Sequence, residues 1–261
     1  MNAVLFEFDS GTGRPIHYGA IMSFLKIRAS FLSAAVLALG IVGVVLWQSP
    51  LFGAEAPVVI APPVVDNPKA AGPPQTAVLA GGCFWGVQGV FEHVRGVKNV
   101  VAGYAGGDKE TAQYETVSSG TTGHAESVQV VFNPSEISYG QILQIAFSVV
   151  HDPTQLNRQG PDVGSQYRSA VFYADDGQKR IAEAYISQLD KSHAFSRPIV
   201  TRVDSLKGFY AAEDYHQDYL MHNPHVPYIA MFDIPKVENF KRMFPELYSE
   251  RPVLARNEGR P

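Results

Sequence analysis

The stretch TAVLAGGCFWGVQGVFEHV, residues 76–94, decides how the chain folds. Its opening, residues 76–80, is a short apolar run stopped at Gly81-Gly82, the pattern of a buried strand ended by a turn. From Cys83 the period changes. Phe84, Val87, Val90, Phe91 and Val94 recur at helical spacing, and this helix is expected to end near Gly96. Cys83 therefore stands at a strand-to-helix turn. Free N–H groups and the macrodipole at a helix N-terminus favour a thiolate, and glycines on both sides leave room for another molecule to approach closely. A small buried hydrophobe is the bland alternative for a free cysteine. A dinucleotide site is excluded, because Gly82, Gly86 and Gly89 have the wrong spacing and Cys-Phe-Trp stands where backbone would have to touch a pyrophosphate.

Downstream, residues 97–104 read as a second strand, and residues 125–132 as a third with Val128, Val130 and Phe132 on one face. Ser138-Tyr-Gly-Gln141 is a capping box that opens a helix with Ile142, Ile145, Ala146 and Val149 inward. A long polar loop, residues 151–167, precedes a strand at 168–173. Asp175 then caps another helix, and residues 198–203 give a further strand. From there to Tyr248 the chain is rich in aromatics and prolines, with few clear periods. This order predicts an α+β fold, a ferredoxin-like plait with a wrapping C-terminal extension.

The chain has 261 residues and a formal net charge of −4, with acids and bases interspersed, so nothing argues for a nucleic-acid partner. Residues 1–56 read as a targeting extension: Lys26 and Arg28 precede an apolar run at 31–47, and Ala54-Glu55-Ala56 follows as a small-x-small cleavage signal. The run is slightly short for a span of ~20 residues and slightly long for a signal core. A cleaved signal is the first reading, and a membrane anchor retained at 31–47 the second. Met22 would start an ideal signal, so the true start residue is open. Residues 57–75 hold six prolines and read as a linker without a fold, residues 76–250 as the catalytic domain and residues 251–261 as a tail. The expected location is exported, periplasmic or held at the inner membrane. Exported chains use cysteines in pairs. This sequence has one cysteine, so Cys83 cannot form a disulfide within it.

GGCFWG (81–86), YAGG (104–107), SGTTGHAESVQVVF (119–132), ISYGQIL (137–143) and HDPTQLNRQGPDVGSQYRSAVFY (151–173) together resemble the A-type peptide methionine sulfoxide reductases, the MsrA family. The resemblance spans about residues 77–248 and implies the same plait. It also implies reduction of methionine-S-sulfoxide, free or in proteins, with no cofactor and no metal. Cys83 would be the nucleophile on the sulfoxide sulfur, and Phe84 and Trp85 the apolar wall around the S-methyl group. Glu126 would protonate the sulfoxide oxygen, Tyr114 and Tyr167 would hydrogen-bond it, and Asp162 would hold the polar side of the site. The chemistry is coherent: a sulfoxide oxygen leaves poorly until protonated, so the acid must keep its proton near neutral pH, which burial among aromatics can arrange. Attack would leave a sulfenic acid on Cys83.

Many relatives carry resolving cysteines near the C-terminus, and this sequence has none. Recycling is therefore expected from an external thiol reductant, either a small thiol or a thioredoxin-like or glutaredoxin-like partner. Thr-Ala-Gln stands before Tyr114 where Asn-Pro-Thr is often found, a change expected to bear on peptide contacts. Two rival readings remain at this point. One is a Cys-His hydrolase using His124 or His151. The other is a non-catalytic module gripping methyl groups. His216, His222 and His225 lie in a Pro-rich segment without a companion cysteine, where packing or surface roles are expected rather than a metal site.

Overall fold

The computed structural model describes residues 55–255. The apolar run at 31–47 and the start-site question at Met22 lie outside the described residues. Among the described residues, no helix is long and apolar enough to cross a membrane.

The quoted stretch forms strand β1 (Gln75–Gly81) and helix α1 (Phe84–Glu92). Strand β2 (Val97–Ala105), the one-turn helix α2 (Tyr114–Val117) and strand β3 (Ala125–Phe132) follow. Helix α3 (Tyr139–Ile145) runs into a π-turn, Ala146–Val150. The loop expected at 151–167 carries a two-residue hairpin, β4 (Arg158–Gln159) and β5 (Asp162–Val163), and a 3₁₀ turn, Ser165–Tyr167. Next come β6 (Ser169–Tyr173), α4 (Asp176–Lys191), β7 (Arg202–Ser205) and β8 (Phe209–Ala211). Helix α5 (Tyr219–His222), a π-turn (Ile229–Asp233) and α6 (Ile234–Met243) complete the order.

The architecture is α+β. One sheet has the order β7-β6-β1-β3-β2-β8, antiparallel throughout except for β6 with β7. Its centre is β1, paired with β3 on one side and β6 on the other, which is why residues 76–80 are apolar without alternation. The main core gathers Leu79, Val100, Val128 and Val130 from the sheet with Val87, Val90 and Phe91 of α1, Ile142 and Leu143 of α3, and Ile181 and Tyr185 of α4. Each of these fully buried apolar side chains contributes about 1.5–3 kcal/mol. A smaller cluster, Val78, Ala80, Ala125, Ala170 and Phe172, packs with Leu206 and Phe209.

The capping box forms as expected: Ser138 Oγ accepts from Gln141 N–H, and Gln141 Oε1 accepts from Ser138 N–H, each at 3.2 Å. The strand expected at 198–203 begins later, at Arg202. Pro198 has no N–H to give a ladder, and the Val200 N–H is taken by the Pro153 carbonyl. Residues 57–75 have almost no regular structure, yet they are not a free tether. They lie along α3 and α4 as a strap. Val58 N–H donates to the Ser148 carbonyl at 2.9 Å, Ile60 is buried, and Asp66 accepts from Gly140 N–H at 2.9 Å. Tyr185 and Gln188 donate to the carbonyls of Ala61 and Pro62. Proline carbonyls accept as well as any other, so a proline-rich segment without a sheet or helix can still be held through its acceptors.

Candidate active site

Cys83 is the N-cap of α1 and is 7% exposed. The turn that delivers it depends on Gly82, whose φ of +91° suits glycine and where a Cβ would come within 2.6 Å of Gln159. The glycines were expected to admit another molecule. Instead the protein's own side chains occupy both approaches, Gln159 at Gly82 and Asp233 at Gly86.

The first N–H of α1, that of Phe84, donates to Glu126 Oε2 at 3.0 Å. Glu126 lies on β3, opposite Tyr104 of β2, and points into the protein with 3% exposure. Burial pushes this carboxyl up to about 8, with Asp162 and Asp233 adding to the rise and the Phe84 N–H opposing it. Glu126 can therefore hold a proton at neutral pH. The thiol differs from the sequence-based expectation. Burial pushes Cys83 well above the ordinary thiol range, helped by the charges of Asp233, Glu126 and Asp162, while the Trp85 N–H pulls the other way. Helix-terminal stabilisation falls off within one turn, and here a carboxyl oxygen already takes the leading N–H, so desolvation wins.

The remaining expected residues converge on the same place. Phe84 is buried against Tyr104 (ring centroids 5.9 Å) and His216 (5.1 Å). Trp85 is half-buried, stacked on Tyr219 at 4.0 Å and edge-on to Tyr228 at 6.1 Å. Its indole N–H donates to His216 Nδ1 at 3.1 Å, which fixes the ring plane. Burial raises the hydroxyls of Tyr114 and Tyr167, and the charges of Glu126 and Cys83 act on both in the same direction. Asp162, on the short hairpin, accepts a hydrogen bond from the Tyr228 hydroxyl. Burial raises its carboxyl, while Tyr228 and Lys236 lower it. All seven residues singled out in the sequence are thus gathered around the N-terminal end of α1.

Several neighbours escaped the sequence reading. His216 does pack, as expected of a packing or surface residue, and what the sequence did not show is the place, between Trp85 and Tyr114. Glu213 accepts from Tyr104 OH and from Tyr114 N–H, each at 2.9 Å, and so places the α2 tyrosine. Tyr228, Asp233 and Lys236 come from the segment after α5. The sequence signal there was weak, an Asp and a Lys three apart around Pro235. Of the two histidines weighed for a hydrolase, His124 is engaged elsewhere. His124 accepts from Gly107 N–H, and its Nε2 lies 2.9 Å from the Asp108 carbonyl, so both ring nitrogens are committed. His151 is buried against Phe147, and burial pushes it down to about 4.

Residues 75–247 match the family described as peptide methionine sulfoxide reductase. A relative from Mesorhizobium japonicum, peptide methionine sulfoxide reductase MsrA 2, is 60% identical over 186 residues, which is 71% of this chain and 95% of that protein. Another MsrA 2, from Synechocystis, is 52% identical over 189 residues, 71% of this chain and 88% of the relative. Among solved structures, methionine sulfoxide reductase A of Corynebacterium diphtheriae matches with a TM-score of 0.51 and 32% identity, covering 67% of this chain and 90% of that one. The reduced form of Mxr1 from Saccharomyces cerevisiae gives 0.53 and 31%, covering 62% and 92%.

Proposed function

Since the chain belongs to the peptide methionine sulfoxide reductase family and reduces methionine-S-sulfoxide to methionine, we propose that the reaction runs through Cys83 with Glu126 as its acid. The observation that carries this is the 3.0 Å hydrogen bond from Phe84 N–H to Glu126 Oε2, which seats a proton-holding carboxyl on the helix turn that carries the thiol. The S-methyl group would lie against Phe84 and Trp85. The Tyr114 and Tyr167 hydroxyls would donate to the sulfoxide oxygen, and Asp162 would face the polar part of the substrate.

Glu126 gives its proton to the sulfoxide oxygen as the Cys83 sulfur attacks the sulfoxide sulfur. The sulfur–oxygen bond of the substrate then breaks and the oxygen passes to Cys83. Thiol plus sulfoxide becomes sulfenic acid plus thioether, Cys83 losing two electrons and the substrate gaining two. The thiol proton restores Glu126. Cys83 is the one cysteine in the sequence, so two external thiols complete the cycle. The first displaces water to form a mixed disulfide and the second releases the Cys83 thiol. Thioredoxin-like, glutaredoxin-like or small-thiol donors all fit this chemistry.

The test is incubation with resolved sulfoxide epimers and excess dithiol. Loss of the S epimer that disappears in Cys83→Ser is the expected result. No loss, or equal loss in the variant, would overturn the assignment.

Two further readings belong here. The run β1-α1-β2-β3-α3-β6 with spatial order β6-β1-β3-β2 supports a ferredoxin-like plait, wrapped by the segment after β7. The basic, apolar and small-x-small order of residues 26–56 supports export, to the periplasm or onto the inner membrane. Cleavage after Ala56 would keep the strap, whose first backbone bond is at Val58. Mass spectrometry of the mature N-terminus tests this, a start near Pro57 supporting release and an intact apolar run supporting the anchor.

A further inference from the structure

More charge surrounds Cys83 than the reaction above uses. Asp233 closes the π-turn Ile229–Asp233 and is fully buried, and neither carboxylate oxygen has a hydrogen-bond donor. It is seated on the first turn of α1: a Cβ at Gly86 would lie 2.2 Å from Asp233 Oδ1, so the missing side chain is what admits the carboxylate. Gly86 is three residues from Cys83, one helical turn. Lys236 of α6, also buried, brings its Nζ to 3.6 Å from the same Asp233 oxygen. That is an ion pair without a hydrogen bond. Orphaned carboxylate oxygens are rare in native interiors and mark strain or function.

The groups facing this pair come from every element packed around it. Glu55 reaches it from just before the strap, in the form not cleaved after Ala56. Cys83 reaches it from α1, Glu126 from β3, His151 from the end of the π-turn after α3, Asp162 from β5 and Tyr228 from the residue that caps the π-turn of Asp233. Lys236 is the cation whose charge opposes the rise at Asp233. We propose that Asp233 and Lys236 are a positioning pair for Cys83: the Asp233 carboxylate on Gly86 keeps the resting sulfur as a thiol, and Lys236 limits how strongly it does so. This rests on the reading of Cys83 as the nucleophile. The benefit is protection, since the thiolate is the form that peroxides attack, and a resting thiol is spared until substrate arrives. The directions agree. Burial pushes Asp233 up to about 6, Lys236 opposes the rise, and among the charges acting on Cys83 that of Asp233 is the largest. Burial would push Lys236 down, yet Asp233, Glu55, Cys83 and Asp162 together hold it above its ordinary range.

The experiment is the pH dependence of Cys83 alkylation by iodoacetamide in the full chain, read by intact mass. Asp233→Asn removes the like charge, so the midpoint should fall by about one pH unit or more. Lys236→Met should move it the opposite way, and Lys236→Arg should restore the wild-type value. Opposite signs are the signature, because two merely structural substitutions would not displace the thiol in opposite directions. If Lys236→Met fails to fold, the Asp233→Asn/Lys236→Met double variant decides, with a midpoint below wild type expected. An Asp233→Asn or double-variant midpoint at or above wild type would overturn the pair. The two readings fail separately. The expected shifts without sulfoxide turnover would sink the proposed chemistry and keep the pair, and normal turnover without the shifts would do the reverse.

Discussion

Helix α1 meets a buried acid at each end, Glu126 of β3 beside its first turn and its own Glu92 in its last. Burial pushes both carboxyls up, to about 8 and about 9 respectively. Their neighbours differ. Glu92 has the Asp218 carboxylate beside it, and that end is closed over by the chain's last described residues. Val253 N–H donates to the Glu92 carbonyl, Ala255 N–H to Asp218 Oδ1, and Tyr248 stacks on His93 at 5.1 Å. Glu126 instead meets a thiol, two tyrosine hydroxyls within electrostatic reach and the orphaned carboxylate of Asp233. A displaced pKa is therefore a poor guide alone. What separates the two ends is the nucleophile, since buried carboxyl oxygens without a hydrogen-bond partner stand at both, those of Glu92 at one and of Asp233 at the other.

The sharpest way to break that contrast is to remove each acid in turn. Glu126→Gln should slow methionine release by roughly 10²–10⁴, the usual worth of a positioned acid, with an unchanged circular dichroism spectrum. Glu92→Gln should leave turnover close to wild type. Comparable losses in the two variants would end the distinction.

The pH response separates the ends next. Turnover should decline as pH rises through about 8, where Glu126 loses its proton. For Glu92 the folded value lies above the ordinary 4.5, so its stabilising contribution is complete below 4.5 and is lost as pH rises towards 9. Glu92→Gln should flatten the fall of denaturation midpoint across that window, by at most about 1.4 kcal/mol per pH unit. An unchanged slope would remove Glu92 from the account.

A smaller effect is expected at the wall of the site. Trp85→Ala removes the face stacked on Tyr219 and should raise KM for sulfoxide about tenfold, the equivalent of one good aromatic contact. A changed kcat with unchanged KM would argue for a role in the chemical step instead. The smallest change is far from the site. Asp66→Ala takes the strap's acceptor from Gly140 N–H and Ser138 Oγ at the start of α3, and should cost about 1 kcal/mol in denaturant unfolding without touching turnover.

Much of this was legible in the chain, for local reasons. A strand that is apolar throughout, a helix period beginning at Phe84 and a capping box at Ser138 are encoded within a few residues of where they act, so β1, α1 and α3 fall where the pattern places them. The motifs around Cys83, Glu126, Tyr114, Asp162 and Tyr167 likewise carry their own identification. The strand at Arg202 was displaced because Val200 pairs with Pro153, forty-seven positions earlier in the chain. The strap looked free because much of its fixation uses backbone groups, which every residue has.

The sequence by itself determined the order of elements and the family, and it singled out Cys83 as the proposed attacking group, because each is written in residue type and short spacing. Tertiary structure alone decided that the resting sulfur is a thiol rather than a thiolate, that Gly82 and Gly86 admit Gln159 and Asp233 rather than a ligand, and that Lys236 stands in the site at all. Those outcomes depend on desolvation and on charges separated by up to 153 positions, from Cys83 to Lys236. Neither exists until the sheet, α1 and the C-terminal segment have closed on one another.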